Sequence, residues 1–445
     1  MSTSGTVRTP GTDAPLTLTE PPPRTLGVGD ALGLWANLGI SLLLPVAAVF
    51  VVLPGRPLAV TVAAIVVGAA IGSVLLGLVA AAGARERVPG MVLLRGLLGR
   101  RTSWLPTALN LVQCIGWATF EIVIIAEAAS RVTDAPRWPF VLAAGVLATA
   151  MALRPLGVVR VLARYAVWAA LAAVAYLFVQ VLAEPLPPLD EGGATSFWAA
   201  ADIVIALPVS WLPLAADYTR HVRSGRAAFT GAAVGYGLAT GVMFLLGVLA
   251  LAAYGSAGLD VIDALLAVPL GAVAVLVLVS VELDEAFANV YSTAVSAQNV
   301  VARLDRRVLA VAVGTLATLL ALTFDIAAYE PFLFLIGAVF VPLAGVLIVA
   351  YWLTPRGNWD TSDTAVARPL FLLPWAAGFI AYQLTLPTFF PGPGAGWTAW
   401  WSARQGELGV DPGNGWSASL VGLAVAVVLT LPLVPAVRRR RRSAA

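Results

Sequence analysis

Long apolar runs, repeated along the whole chain, constrain this sequence more than any other feature. A helix needs about 20 mostly apolar residues to cross a bilayer. Twelve stretches fit: 31–53, 57–83, 104–131, 138–153, 158–183, 197–220, 227–254, 265–302, 307–323, 326–353, 369–390 and 416–437. The fourth and ninth are short. The eighth is long enough to tilt strongly or to extend past the bilayer. Only 11% of the 445 residues are charged, against roughly 25% in a soluble domain. The chain therefore reads as an all-α polytopic membrane protein with twelve transmembrane helices, not as a soluble enzyme with one anchor.

Arginine placement tests that count. All 27 basic residues are arginine, and an even number of spans puts 23 of them on the side of both termini. Only Arg56, Arg131, Arg137 and Arg404 fall on the other side. An error of one span would scramble this alternation. The positive-inside rule then places both termini in the cytoplasm, in a multi-pass cell-membrane protein. The arginines are spread over loops and the net charge is only +3, which argues against a nucleic-acid partner. Cys114 is the single cysteine and His221 the single histidine. Disulfides, cysteine metal clusters and an HExxH zinc site are excluded. There is no phosphate-binding GxxxxGK[ST] loop, and no cofactor is implied.

The N-terminal 1–25 is polar, rich in Pro and Thr, and without the apolar core of a cleavable signal peptide. It is expected to be a disordered cytoplasmic tail. Residues 438–445 form a basic cytoplasmic tail.

Two spans are interrupted. The first reads ALGLWANLGISLLLPVAAVFV, with Asn37, Gly39, Ser41 and Pro45. The sixth reads ADIVIALPVSWLPLAADYTR, with Pro208, Ser210 and Pro213. Proline removes an intrahelical hydrogen bond. Freed backbone groups at membrane depth must be buried in protein or line a cavity. The breaks are five spans apart, an odd number, so the two units run in opposite directions. Broken helices at matching places in inverted repeats mark a transporter's mid-membrane binding site. Ordinary proline kinks are the plain alternative, but both breaks also carry polar side chains.

Polar groups inside spans are costly and face a cavity or a partner. In the third span Asn110, Gln113, Trp117 and Glu121 share one helix face, and Glu127 lies further on. In the eighth, Glu282, Glu285, Asn289, Ser292, Ser296 and Asn299 do the same, with Asp284 on a neighbouring face. These two spans are partners in a five-plus-five arrangement, so two striped and two broken helices are expected to converge on one site. An indole beside amides and carboxylates suits a planar heteroaromatic ligand. The ring face stacks, and the polar groups read the edges. Lipid-facing or packing bulk is the plain alternative for Trp117. Buried carboxyls can instead carry a proton or hold a cation, or face a wet vestibule and tune its potential.

Four segments together resemble the nucleobase:cation symporter-1 family: NLVQCIGWATFEIVIIAEAA at 110–129, IALPVSWLPLAADYTRH at 205–221, ANVYSTAVSAQNV at 288–300 and FLIGAVFVPLAGVLIVAYWL at 334–353. The sixth-span stretch looks most like the cytosine and hydroxymethylpyrimidine permease branch. The resemblance implies a leucine-transporter-like 5+5 inverted repeat plus two peripheral helices. Repeat 1 would span 26–184 and repeat 2 195–353, with the peripheral helices in 367–437. It implies alternating access with sodium or proton coupling. In that likeness Trp117 stacks on the base, Glu121 bonds it one turn on, Asn289 reads the ring, and Trp211 is the sixth-span aromatic. Gln113, Glu285, Ser210 and Asn37 complete the expected substrate set. Cation coupling is assigned to Asp284, Glu282 and Gly39, with Asp284 a candidate sodium ligand. Where sodium-coupled members carry eighth-span hydroxyls, this chain has Leu283 and Asp284, so the ion stays open between sodium and proton.

The function expected is secondary active import of a nucleobase or related pyrimidine by a monomer in the lipid bilayer. An amino-acid or other small-solute symporter on the same fold is the alternative, disfavoured for anionic substrates by the acidic lining. An intramembrane enzyme lacks a nucleophile with a base, or a metal set. A passive channel does not explain two broken helices in inverted positions.

Overall fold

The computed structural model describes residues 15–18, 20–161, 165, 167–255, 260–324, 326–390, 394–411 and 415–438. Parts of both expected tails, 1–14 and 439–445, lie outside the described residues. Among the described residues every regular element is helical, and the only strand-like pairing is an isolated parallel bridge between Leu26 and Val222. Six stretches are long and apolar enough to cross a membrane: Leu58–Glu86, Trp104–Thr133, Phe197–Thr219, Gly225–Tyr254, Tyr329–Leu353 and Ala418–Val437. They belong to the second, third, sixth, seventh, tenth and twelfth spans. The eighth-span helix, Gly271–Ala297, is as long but carries three acids. Shorter apolar helices, among them Arg137–Ala152, Val167–Leu182 and Leu372–Thr385, fill in the fourth, fifth and eleventh spans.

Both breaks are present. The first span is helical over Val28–Leu38, leaves helical form at Gly39–Leu42, and resumes as two single turns, Leu43–Val46 and Ala48–Val51. The sixth runs Phe197–Ser210 and Leu212–Thr219, hinged at Trp211. Pro213 offers no N–H to the carbonyl four residues back, which loosens that turn.

The most extensive contacts between spans include the second against the sixth, the first against the seventh and the third against the eighth. The first helix rests chiefly on the start of the seventh. A shift of five spans turns the first–seventh pairing into the sixth–second pairing, as an inverted repeat requires. Glycines make both contacts possible. A Cβ on Gly68 or Gly72 would meet the sixth helix at 2.6 and 2.9 Å, and one on Gly231 or Gly235 would meet the first at 2.7 and 2.9 Å. Each repeat thus presents a GxxxG face to the broken helix of the other, the spacing that lets helix backbones approach closely in membranes.

The structure corrects three expectations. The eighth span does not run as one helix over 265–302. A short helix, Val261–Ala267, is followed by a reversal at Pro269 and Leu270 (φ +54°), and the long helix starts at Gly271. Short helices that the apolar pattern does not show occur at Gly90–Leu93, Arg95–Leu98 and Ala395–Leu408. The described part of the N-terminal tail is pinned rather than disordered. Leu18 N–H donates to the Ala302 carbonyl, Arg306 N–H to the Leu16 carbonyl, and Gln298 Nε2 to the same Leu16 oxygen at 2.7 Å. Further on, Arg24 donates to the Val222 carbonyl at 3.1 Å. Arg220 donates to Nε2 of His221, so the imidazole proton sits on Nδ1, which bonds the Pro23 carbonyl at 2.9 Å. Burial, with Arg220 alongside, pushes His221 down to about 3, so the ring stays neutral. Three consecutive prolines, 21–23, need no N–H partners and can cross between these anchors as a stiff extended segment.

Candidate functional site

The breaks and the striped helices meet in the centre of the bundle. Trp117, Ser210, Trp211, Glu285 and Asn289 line one cavity, with Tyr236 from the seventh helix and Leu207 and Leu214 from the sixth. Five of the eight residues expected to touch substrate are therefore brought together. The free space is about 10 Å³, what a single water needs, so the walls rest on one another.

Two aromatic groups flank the cavity. Trp117 stands edge-on to Tyr329 and Phe332, with ring centres 5.8 and 5.3 Å apart. Trp211 meets Trp35 at 6.0 Å, Tyr236 at 6.0 Å and Tyr218 at 6.4 Å. These contacts are T-shaped or tilted, none of them a parallel stack.

Glu121 is fully buried one turn from Trp117. No N–H or O–H reaches either of its oxygens, and its carboxyl faces those of Glu282 and Glu285. Asp284 is also fully buried with both oxygens lacking a donor. None of these four acids pairs with an arginine among the described residues. Buried acids without a basic partner are groups that can hold protons or a cation.

Glu282 has a second task. Its carboxyl accepts from Ser41 Oγ at 2.7 Å and from the Leu42 N–H at 2.5 Å. Those donors belong to the non-helical part of the first span, so an acid on the eighth helix closes the break in the first. Gly39 lies at the same break. Its N–H bonds the Trp35 and Ala36 carbonyls, and a Cβ there would meet Ala239 at 2.7 Å. Asn37 is fully buried with neither side-chain group bonded, but it is not on the cavity wall.

Gln113 serves the other break. Its Nε2 donates to Ser210 O at 2.8 Å and to Asn110 Oδ1 at 3.1 Å. It supports the sixth-span hinge rather than lining the cavity. The lower halves of the two polar stripes bond each other. Asn110 donates to Ser296 at 2.8 Å, and Asn299 donates to Ser103 and Thr107 at 3.1 and 2.9 Å. Arg95, 3% exposed, closes this end by donating to Asn299 Oδ1 at 2.7 Å and Asp363 at 2.6 Å. One continuous sequence stripe thus splits into a site half and a structural zip.

Two neighbours were not visible as site residues in the sequence. Tyr236 sits in GAAVGYGLATG, an unremarked apolar stretch. Tyr329 starts the tenth-span helix, and its buried hydroxyl has no partner. The third-span and eighth-span carboxyls are the signal that could have pointed to both phenols.

Most donors around the cavity are already committed. Ser210 Oγ donates to the Leu207 carbonyl at 2.7 Å, and Asn289 Nδ2 to the Glu285 carbonyl at 3.1 Å. Uncommitted on the wall are a Glu285 oxygen and the Trp117 indole N–H, and behind it lie the free oxygens of Glu121 and Gln113. Such a site suits a flat ring rich in N–H donors.

The profile of a family described as "Permease for cytosine/purines, uracil, thiamine, allantoin" matches residues 43–369. The cytosine permease of Escherichia coli strain K12 is 27% identical over 307 residues, covering 64% of this chain and 70% of that one. Among solved structures, Mhp1, a nucleobase-cation-symport-1 family transporter in a closed conformation with bromovinylhydantoin bound, aligns with a TM-score of 0.73. It shares 17% identity, and the match covers 96% of this chain and 95% of that one. The inward-facing conformation of Mhp1 aligns with a TM-score of 0.69 at 16% identity, covering 98% and 95%.

Proposed function

This chain belongs to the nucleobase:cation symporter-1 family of permeases for cytosine/purines, uracil, thiamine and allantoin, and from that premise we propose that it imports an amino-bearing pyrimidine or purine. It is a multi-pass membrane transporter, not an enzyme, working by cation-coupled alternating access. The observation that carries the substrate reading is the union of stacking indoles and buried carboxyls on one cavity, Trp117 and Trp211 with Glu285, and Glu121 one turn behind.

The chemistry of a carboxyl selects one ring edge. A neutral acid donates to a ring nitrogen and accepts from the adjacent exocyclic amine, and an ionised one accepts from both when the ring is protonated. An amide and a neutral carboxyl each carry a donor beside an acceptor and fit either that edge or a lactam edge, whereas an ionised carboxylate only accepts and cannot serve a lactam C=O. In the ionised form Glu121 and Glu285 therefore fit protonated cytosine or adenine better than uracil. A free amino acid would bring its own carboxylate into a cluster of acids, which opposes that alternative.

The coupling cation in this reading is a proton shared among Glu121, Glu282 and Glu285. Asp284 and the backbone near Gly39 would be a second place for positive charge. Support comes from the absence of basic partners and from the bond between Glu282 and the broken first span. Both termini in the cytoplasm and a monomeric unit remain part of the proposal, the first carried by arginine placement.

Competition against radiolabelled uptake in proteoliposomes tests this. Cytosine is expected to outcompete uracil, and Glu121→Gln to narrow or reverse that order. An unaltered ranking would remove Glu121 from base reading. An imposed proton gradient should drive accumulation without sodium. Accumulation that follows a sodium gradient alone would reject the proton assignment.

A further inference from the structure

The seventh span contains a π-helix, Gly231–Tyr236, between the turns Gly225–Thr230 and the long helix Gly237–Tyr254. Nothing in its apolar composition calls for one. A π-bulge carries one extra residue within an α-helix, is rare, and occurs often at functional sites. One residue rotates the following side chain by about 100°, so the bulge decides where Tyr236 points.

It points into the cavity. Tyr236 is fully buried and stands edge-on to Trp35 at 6.1 Å. It lies on the same wall as Trp211, Glu285 and Asn289. Close packing holds it there, since Gly231 and Gly235 leave room only for the first helix. Its phenol oxygen lies beside the Trp211 side chain, in the neighbourhood of the Glu285 and Glu121 carboxyls. Ser210, the other hydroxyl on this wall, is spent on the Leu207 carbonyl. Tyr329 also carries an unpartnered hydroxyl, but it packs behind Trp117 and is not on the wall.

Apart from the Trp117 indole N–H, the unspent groups at this wall are mostly acceptors, which handle the amino edge of a base and leave its carbonyl short of donors. We propose that Tyr236 is a specificity-determining residue, whose hydroxyl, aimed by the π-helix, donates to the ring carbonyl of an oxo-aminopyrimidine while the carboxyls take the amino edge. This rests on the transport reading above and names the residue that separates cytosine-like rings from rings with the amine but no carbonyl. A hydroxyl donor to a neutral carbonyl is worth enough to matter, since a site built for a hydrogen bond penalises ligands that leave it unmade.

The test compares cytosine with 4-aminopyrimidine, which lacks only the 2-oxo group among the recognised atoms. Both compete against radiolabelled cytosine uptake in cells expressing the unaltered chain or Tyr236→Phe. The phenyl ring keeps the aromatic packing, so the variant removes one oxygen. The half-inhibitory concentration of cytosine is expected to rise about tenfold in Tyr236→Phe, with that of 4-aminopyrimidine changed by less than about twofold. Equal weakening of both ligands would overturn the proposal in favour of a packing role, and so would an unchanged cytosine value. If the unaltered chain takes up no cytosine and neither ligand binds the purified protein, the transport reading itself has failed and this inference falls with it.

Discussion

Trp117→Ala is expected to lower nucleobase uptake roughly tenfold to a hundredfold while the protein reaches the membrane in normal amount. Base–aromatic stacking is worth about 1–3 kcal/mol per ring, and each 1.4 kcal/mol is about a factor of ten in affinity. Trp117 is 5% exposed and lines the cavity. Its edge contacts with Tyr329 and Phe332 hold it upright. Trp117→Phe keeps an aromatic face and should restore part of the loss. Initial-rate uptake, normalised to membrane-inserted protein, gives the answer. Normal uptake by Trp117→Ala would show that the indole packs the bundle and does not meet substrate. Loss of both uptake and membrane insertion would point the same way.

The second large effect is expected at Glu282. Its carboxyl satisfies two donors of the broken first span, Ser41 Oγ and the Leu42 N–H. A buried donor left unpaired costs about 1–3 kcal/mol, and no water enters hydrocarbon to replace the lost partner. Glu282→Ala should therefore abolish uptake and lower the thermal unfolding midpoint of the purified protein. Glu282→Gln separates structure from coupling. A glutamine can still bond the break, but it cannot take up and release a proton. It is expected to keep near-normal stability and substrate exchange while losing gradient-driven accumulation. Accumulation by Glu282→Gln equal to that of the unaltered chain would remove Glu282 from coupling and leave it a structural brace.

Much of the site was legible because charge in a membrane has few explanations. Glu121, Glu282, Asp284 and Glu285 stood out against apolar neighbours, and period-3.6 spacing placed Trp117 with Glu121 and Glu285 with Asn289. Periodicity assigns a residue to a face but does not say how far along the helix the cavity extends. Gln113 therefore looked like a substrate ligand and instead bonds the Ser210 carbonyl. Asn110, Ser296 and Asn299 continue the same stripes yet zip the helices together. The described part of the expected tail departs from its composition for a related reason. Proline-rich polar composition signals the lack of a core, but His221, Arg306 and Gln298 supply partners from residues far along the chain.

Sequence by itself determined the solvent, the two breaks and the sign of the candidate site. Each follows from local energetics: apolar length against bilayer thickness, proline against helical bonding, and carboxyl burial against charge. Tertiary structure alone decided which partner each polar group met. It set an eighth-span acid into the first-span break and turned part of two stripes into a zip. Through one extra residue of π-helix, it also brought Tyr236 to the cavity. Those outcomes depend on helix rotation and depth, which are fixed by packing between segments hundreds of residues apart and leave no periodic trace within either one.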